Sequence, residues 1–569
     1  MICFLTELPP ASGFFELGSD PDSSCAPDNP VRWKLFFASN HRSVVRVVVL
    51  GDIGQPVYHV GDEAMTHAVV DELRARGVTD IVLLSRDPEQ STRIFGTESV
   101  KTLEFPWPPH RRERYLREIK AILAGDMSAL PAEDQVHALI ETMKGCDGVV
   151  IAGGGNMTSP YGWLLYERAA VGAIANALGK PLVISGQTLG PVLTGPDYDT
   201  VVELFRSATL TSVREQTSWE LMRNADVPAG LTLDDASFFE VDHALPAALE
   251  LDQVTYKPQP GRPFLVATFA PGTGAMDRDA FNQRIAEVLD RIADAGKLDV
   301  VMIAHMSHPG QADIDIETHQ DIRRRMNTEN VMVCGQLSAE ESASLTMQAE
   351  IVVASRYHPI VFALSAGVPC LGIAVDYYGE VRIGGALANW GLGHTMRSLR
   401  HLATPEFDAF VDQFLASNND IRSYLKQLSP AQGEFQREWW DAVVETLQGA
   451  RPEAPVLVSP EPALPELASG EHPSVAQLTA NNELHIGHQS VELYGLTHVL
   501  EDTRGSLGAV EADRDRLRDE LNHLTGTLAA RESERDHLQT ERDQLQDELQ
   551  VLKSSLLVRA GRKLRLLRR

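Results

Sequence analysis

The chain is poor in cysteine, and what it has is not arranged to cross-link or to hold a metal. Cysteine stands at positions 3, 25, 146, 334 and 370, with no C-x-x-C pair. Cys146, Cys334 and Cys370 lie in or beside apolar runs and read as buried free thiols of a reducing compartment. Basic residues are outnumbered, 51 Lys and Arg against 79 Asp and Glu, for a net charge of −28. That balance excludes general nucleic-acid binding, which needs a basic face. No apolar run approaches the roughly 18 residues of a membrane span. The first ten residues lack a basic stretch followed by an apolar one, so no signal peptide is expected. Together these absences predict a cytoplasmic protein, open to peripheral contact with the inner face of a membrane. What the chain does have is 43% hydrophobic residues over 569 positions, too many for a single core.

Residues 1–43 are rich in Pro, Ser and Asp, show no period, and are expected to be a disordered leader. From residue 44 short apolar strands alternate with longer amphipathic segments. Val45–Leu50, Asp80–Leu84, Gly148–Ala152 and Pro181–Ser185 read as strands of one half. Phe264–Thr268, Asp299–Ala304, Val331–Cys334, Ile351–Ala354 and Cys370–Ile373 read as strands of a second. Such alternation means βαβ units and parallel sheets. The expected fold is α/β, with a Rossmann-like domain at 44–240 and another at 241–450, joined near 240–262. Residues 451–475, rich in proline, read as an extended linker. Residues 476–506 are expected to be partly helical. Over 507–558, Leu517, Leu521, Leu524, Leu528, Leu538, Leu545, Leu549, Leu552 and Leu556 keep alternating spacings of four and three, interrupted by Arg531, Arg535 and Arg542. This predicts a coiled coil and a homo-oligomer. The tail, 559–569, carries Arg559, Arg562, Lys563, Arg565, Arg568 and Arg569 with leucines between. It suits either an anionic membrane surface or a solubilising end.

The most informative segment is Ser355-Arg356-Tyr357-His358-Pro359, between an apolar strand and a helix. With proline at the first helical position, His358 is expected at the N-cap. A helix start offers free N–H groups and partial positive charge. Arg356 adds a planar fork for phosphate or carboxylate, and His358 a group that can carry a proton near neutral pH. Ligands of α/β sheets sit at the carboxyl ends of strands. Gly153, Gly154 and Gly155 follow one such end, and Gly186–Pro191, which contains Gln187, follows the next. Asp62 and Glu63 are candidates for holding sugar hydroxyls or acting as a base, although Asp62 also suits a helix cap. Arg214 follows a further strand. His305 and His308, with Asp313 and Asp315, do not match a helical zinc spacing, and no metal is expected.

Taken in order, Gly61-Asp62-Glu63, the triplet at 153–155, Gly186–Pro191, Val213-Arg214 with Ser218, Asp235–Phe238, and Arg356-Tyr357-His358 with Gly367-Val368-Pro369 resemble the polysaccharide pyruvyl transferase family over about residues 45–400. The resemblance implies a glycosyltransferase-B-like pair of Rossmann-type domains. It implies transfer of pyruvate from phosphoenolpyruvate, as co-substrate and with no cofactor, onto a sugar of a cell-surface polysaccharide or a lipid-linked precursor, as a cyclic ketal. The family's arginine and histidine positions fall on Arg214, Arg356 and His358. The first two would grip the donor, and His358 would be the acid. The sequence departs from the family at His59, where asparagine is usual, and at Ala236, where proline is common. Two other classes fit parts of the pattern. One is a nucleotide-sugar-dependent glycosyltransferase of the same two-domain shape, the other a scaffold working through its coiled coil.

Overall fold

Strands buried on both faces organise each half of the chain, as runs such as Val47-Val48-Val49-Leu50, all at 0% exposure, require. The computed structural model describes residues 46–241, 249–251, 254–256, 262–464 and 473–566. The expected leader at 1–43 lies outside the described residues, as do 465–472 of the linker and 567–569 of the tail. In the first lobe the strand order is Glu98–Lys101, Asp80–Ser85, Arg46–Leu50, Gly148–Ile151, Leu182–Leu189, Leu210–Val213, Gly230–Leu231. In the second it is Val331–Gln336, Asp299–Ala304, Phe264–Thr268, Ile351–Ala354, Cys370–Ala374, Met396–Ser398. Every pairing along both orders is parallel. These are two Rossmann-like α/β lobes facing each other.

Three connections tie the lobes together. Tyr58–His59 of the first lobe pairs antiparallel with Met306–Ser307 of the second, and Val60 N donates to His305 O at 3.1 Å. The 30-residue helix Asn418–Leu447 leaves the second lobe and crosses to the first. There Trp439 and Trp440 are fully buried among Val47, Val49, Val150 and Val183, and Trp439 Nε1 donates to Ser185 Oγ at 2.9 Å. The start of the linker then returns to the first lobe's sheet edge, where Val456 bridges Leu231 in parallel and Leu457 N donates to Leu231 O at 2.7 Å.

One helix of 94 residues, Pro473–Leu566, follows. Its first part lies against both lobes. The Glu483 carboxylate accepts from Tyr377 N at 2.5 Å, and Asp502 accepts from His110 Nε2 at 2.8 Å and Arg111 Nε at 2.9 Å. Beyond that it runs free of the lobes with its leucines exposed. No described helix is long and apolar enough to cross a membrane.

Trp439→Ala should cost about 3–5 kcal/mol, the usual range for deleting a buried aromatic side chain. It also strips Ser185 Oγ of its donor. Urea unfolding should show a lower midpoint at an unchanged slope.

Candidate active site

Helix Tyr357–Ser365 follows strand Ile351–Ala354, but it starts earlier than the sequence pattern predicts. Arg356 is the N-cap, so His358 is the second helical residue and Pro359 the third. The correction has a simple cause: no N–H of a first helical turn has an intrahelical partner, so proline forfeits no hydrogen bond at any of those positions. The ring of His358 lies over the start of helix Val60–Ala75, where a Cβ on Gly61 would come within 1.8 Å of Nδ1. Only a glycine leaves room for it.

Around that ring lies a cavity of about 230 Å³ lined from both lobes. Arg214, Asp52, Asp62, Gly155 and Asn156 come from the first lobe, and His305, Arg356, His358, Tyr378 and Arg382 from the second. Arg214 is 1% exposed. Its Nε donates to Thr188 Oγ1 at 2.9 Å and pairs with Glu215 at 3.1 Å, and its Nη1 pairs with Asp234. Its guanidinium lies 4.5 Å from the centre of the Tyr357 ring. Arg356 is held by Asp315, with Nε 3.1 Å from Oδ2. Oδ2 of Asp315 also accepts the backbone N–H groups of His305 and Met306, each at 3.0 Å. Arg382, on helix Tyr377–Ala388, stacks at 3.8 Å on Tyr378, and its buried Nε has no hydrogen-bond partner among the described residues. Tyr378 Oη donates across the lobes to Gly155 O. A Cβ on Gly155 would meet Tyr378 Oη at 2.7 Å, so this position too needs glycine.

The imidazoles are tuned in opposite directions. Burial, then Arg214, Arg382 and His59, hold His358 well below the ordinary histidine pKa. Its Nε2 has no hydrogen-bond partner among the described residues, and Asp234 Oδ2 is 3.9 Å away. Burial, then His358 and Arg356, lower His305 as well. For His59 burial also disfavours charge, but the hydrogen bond to Asp62 and the nearby carboxylates prevail and its pKa is raised. His59 Nδ1 stands 3.2 Å from Asp62 Oδ2.

Several sequence-predicted residues do other work. Gly153 N donates to Asp235 Oδ2 at 2.7 Å, and neither Gly153 nor Gly154 lines the cavity. The predicted glycine loop after Ser185 is instead strand, continuous from Leu182 to Leu189. Gln187 on it is fully buried, and its Nε2 donates to Ala152 O and Ser185 O, so it is not an acceptor contact. Glu63 does not line the cavity either. Burial first, then the Asp62 charge, lift its pKa to about 8. His308 Nδ1 pairs with Asp313 at 2.6 Å, and Asp315 is committed to Arg356. Among the described residues no cluster of His, Cys, Asp and Glu is placed to hold a metal.

Arg382, Tyr378, Asp52 and Asn156 were not anticipated. Arg382 follows the carboxyl end of the next strand over from the one bearing His358, so the strand-end rule applied once more would have reached it. Asp52, paired with Arg86 at 2.8 Å and Asn156 Nδ2 at 2.8 Å, follows the first strand in the same way.

A two-lobed α/β protein with a cation-lined cleft is the class these observations define. The sequence also matches the profile of the polysaccharide pyruvyl transferase family over residues 59–377, more than half of the chain, which therefore belongs to that family. No curated protein gave a match. Among solved structures, UDP-GlcNAc 2-epimerase from Neisseria meningitidis bound to UDP-GlcNAc is similar at 12% identity and a TM-score of 0.45, covering 71% of this chain and 100% of its own. Alr3699/HepE of Anabaena in complex with UDP-glucose is similar at 12% identity and a TM-score of 0.43, over 71% and 100%. At these values the fold rests on this chain's own two sheets.

Glu63 supplies a pH test. Its folded-state pKa is about 8 against an ordinary 4.5, so the folded chain keeps a proton that the unfolded chain releases. The wild type should lose stability as pH rises from about 4.5 to about 8, and Glu63→Gln should remove that part of the loss. Thermal melts of both proteins across this window check it. Gly61→Ala should displace the His358 ring, leaving a folded protein with activity reduced on the order of 100-fold. A steady-state assay beside a melting curve separates the two effects.

Proposed function

We propose that this polysaccharide pyruvyl transferase takes its pyruvate from phosphoenolpyruvate and sets it on two hydroxyls of a glycan or lipid-linked sugar as a cyclic ketal. The observation that carries the reading is the cavity wall. Arg214, Arg356 and Arg382 converge on it, and Arg382 has no carboxylate partner among the described residues. The donor carries a carboxylate and a phosphate, which arginine forks bind in paired hydrogen bonds.

A proton adds to the methylene carbon of the donor, and its neighbouring carbon becomes electron-poor. One sugar hydroxyl attacks that carbon and gives up its proton. Phosphate leaves with the bonding pair, and the second hydroxyl closes the ring with loss of its own proton. His358 is the acid. In the empty site it is neutral, because burial and two arginines oppose its charge. A bound dianion reverses the sign of that field and draws a proton onto the ring. Asp52 and Asp62, on the first lobe's side, are the carboxylates available to sugar hydroxyls.

The terminal helix supports self-association, and the basic tail at its end would add weak, salt-sensitive attraction to an anionic surface.

The decisive experiment supplies a glycan acceptor with phosphoenolpyruvate and follows phosphate release. Nucleotide sugars serve as the opposing arm, and turnover with them alone would overturn the reading. Arg356→Ala should weaken donor binding by at least tenfold. His358→Gln should cut turnover by about 10²–10⁴-fold with donor affinity nearly kept. If His59→Gln does this and His358→Gln does not, the acid is His59. Calorimetry at pH 7.5 should show net proton uptake when donor binds the wild type, and none for His358→Gln.

A further inference from the structure

The long exposed part of the terminal helix has a core pattern and a charge pattern that together select one partner. From Leu493 to Leu556 a residue of the first core series recurs every seven positions, and from Leu496 to Leu552 a second series follows three places later. All are apolar except Thr503 and the arginines 514, 531, 535 and 542. The stripe stands in solvent, with Leu493 at 66%, Leu524 at 64% and Leu556 at 61% exposure. Contact with the lobes does not use it: Asp502, which grips His110 and Arg111, belongs to neither series. A straight helix drifts about 20° per heptad from a strict seven-residue repeat. Over nine heptads the stripe stays aligned only if the helix winds around another.

We infer that this partner is a second copy of the same chain, wound parallel and in register as a two-stranded coil. The charges carry the argument. In a parallel pair a first-series residue is flanked by the partner residue one place earlier, and a second-series residue by the one after it. Arg514 is preceded by Asp513, Arg535 by Glu534 and Arg542 by Glu541, while Arg531 is followed by Glu532. Each core arginine would therefore meet an acid of the other strand. Along the seam, the position before each first-series residue faces, in a parallel pair, the partner residue five places on. Asp513 then meets Arg518, Glu548 meets Lys553, and Glu534 and Glu541 meet Gln539 and Gln546. None of these pairs is of like charge. In an antiparallel pair the same position faces its own kind, setting Glu534, Glu541 and Glu548 against one another. In the single chain the core arginines rest on neighbours of their own helix, Arg535 on Asp536 at 2.7 Å and Arg542 on Asp543 at 2.7 Å. Such exposed pairs are worth about 0.2–1 kcal/mol and yield easily to an interstrand pair. A charged side chain in the first series also favours two strands, where its end reaches the coil's edge.

Parallel pairing sets both catalytic cores at one end and both basic tails together at the other. At 1.5 Å per residue the separation is on the order of 100 Å.

The test uses the full chain. Light scattering on the eluted protein should give the mass of two chains, and a mass of one or three chains overturns the inference. Leu552→Cys, in the second core series, should form a disulfide-linked dimer on treatment with diamide. Ser554→Cys, facing outward, should cross-link no more than wild type. Failure of Leu552→Cys to cross-link in a two-chain species, or equal cross-linking at both positions, overturns the parallel register. The double change Glu534→Lys with Glu541→Lys should weaken dimerisation at least tenfold with turnover kept. An unchanged dimer would show that the arginine layers do not pair.

Discussion

Arg214 is the interaction on which the site depends. It is a full charge at 1% exposure, compensated by Asp234 and Glu215 and capped by the Tyr357 ring. Removing one member of such a buried set typically costs about 3–5 kcal/mol, because the charges left behind have no water to turn to. The residue also joins the lobes: its carbonyl accepts from Asn389 Nδ2 at 2.8 Å, and Tyr357 and Asn389 both belong to the second lobe. Its Nε and Nη1 are committed to Thr188, Glu215 and Asp234, which fixes the guanidinium in the cavity wall. It supplies a fixed positive charge, and after burial that charge is the largest cause holding His358 well below the ordinary histidine pKa. Arg382, without a carboxylate partner among the described residues, is the arginine with donors to spare.

That field is local. The whole chain carries −28, so any anion approaching from bulk water meets a repulsive surface. Screening over about 8 Å at physiological ionic strength confines the repulsion to the last steps of approach. Capture then depends on the wall itself, where burial strengthens every charge–charge term. The opposed tuning of His59 and His358 belongs to the same economy. Burial disfavours charge on both imidazoles, and the hydrogen bond and charge of Asp62 turn the balance at His59 while Arg214 and Arg382 reinforce it at His358.

The lobes were legible because strands buried on both faces read as unbroken runs of valine, leucine and isoleucine, whatever lies around them. The strand-end rule led from those runs to Arg214, Arg356 and His358, and the structure brings all three to one cavity. What sequence could not tell is where a polar group spends its hydrogen bonds. Gln187 looked like a ligand contact because it follows a strand and a glycine, yet the strand continues through it and both its amide hydrogens serve main-chain carbonyls. Glu63 adjoins Asp62 in sequence, but on a helix adjacent residues point about 100° apart, so one lines the cavity and the other is buried behind it. Tyr378 meets Gly155 across 223 positions of chain, and no local pattern encodes such a contact.

The way the lobes are joined bears on what the terminal helix can do. A strand pair at the site, a crossing helix and a return of the linker to the sheet edge each fix the second lobe against the first. The terminal helix then touches both, through Tyr377 and through His110 and Arg111. Tyr377 adjoins Tyr378, whose ring carries Arg382. The long helix thus meets the lobes at a residue one place from the cavity wall. An oligomer built through this helix would join its catalytic cores through the same segment that touches both lobes of each.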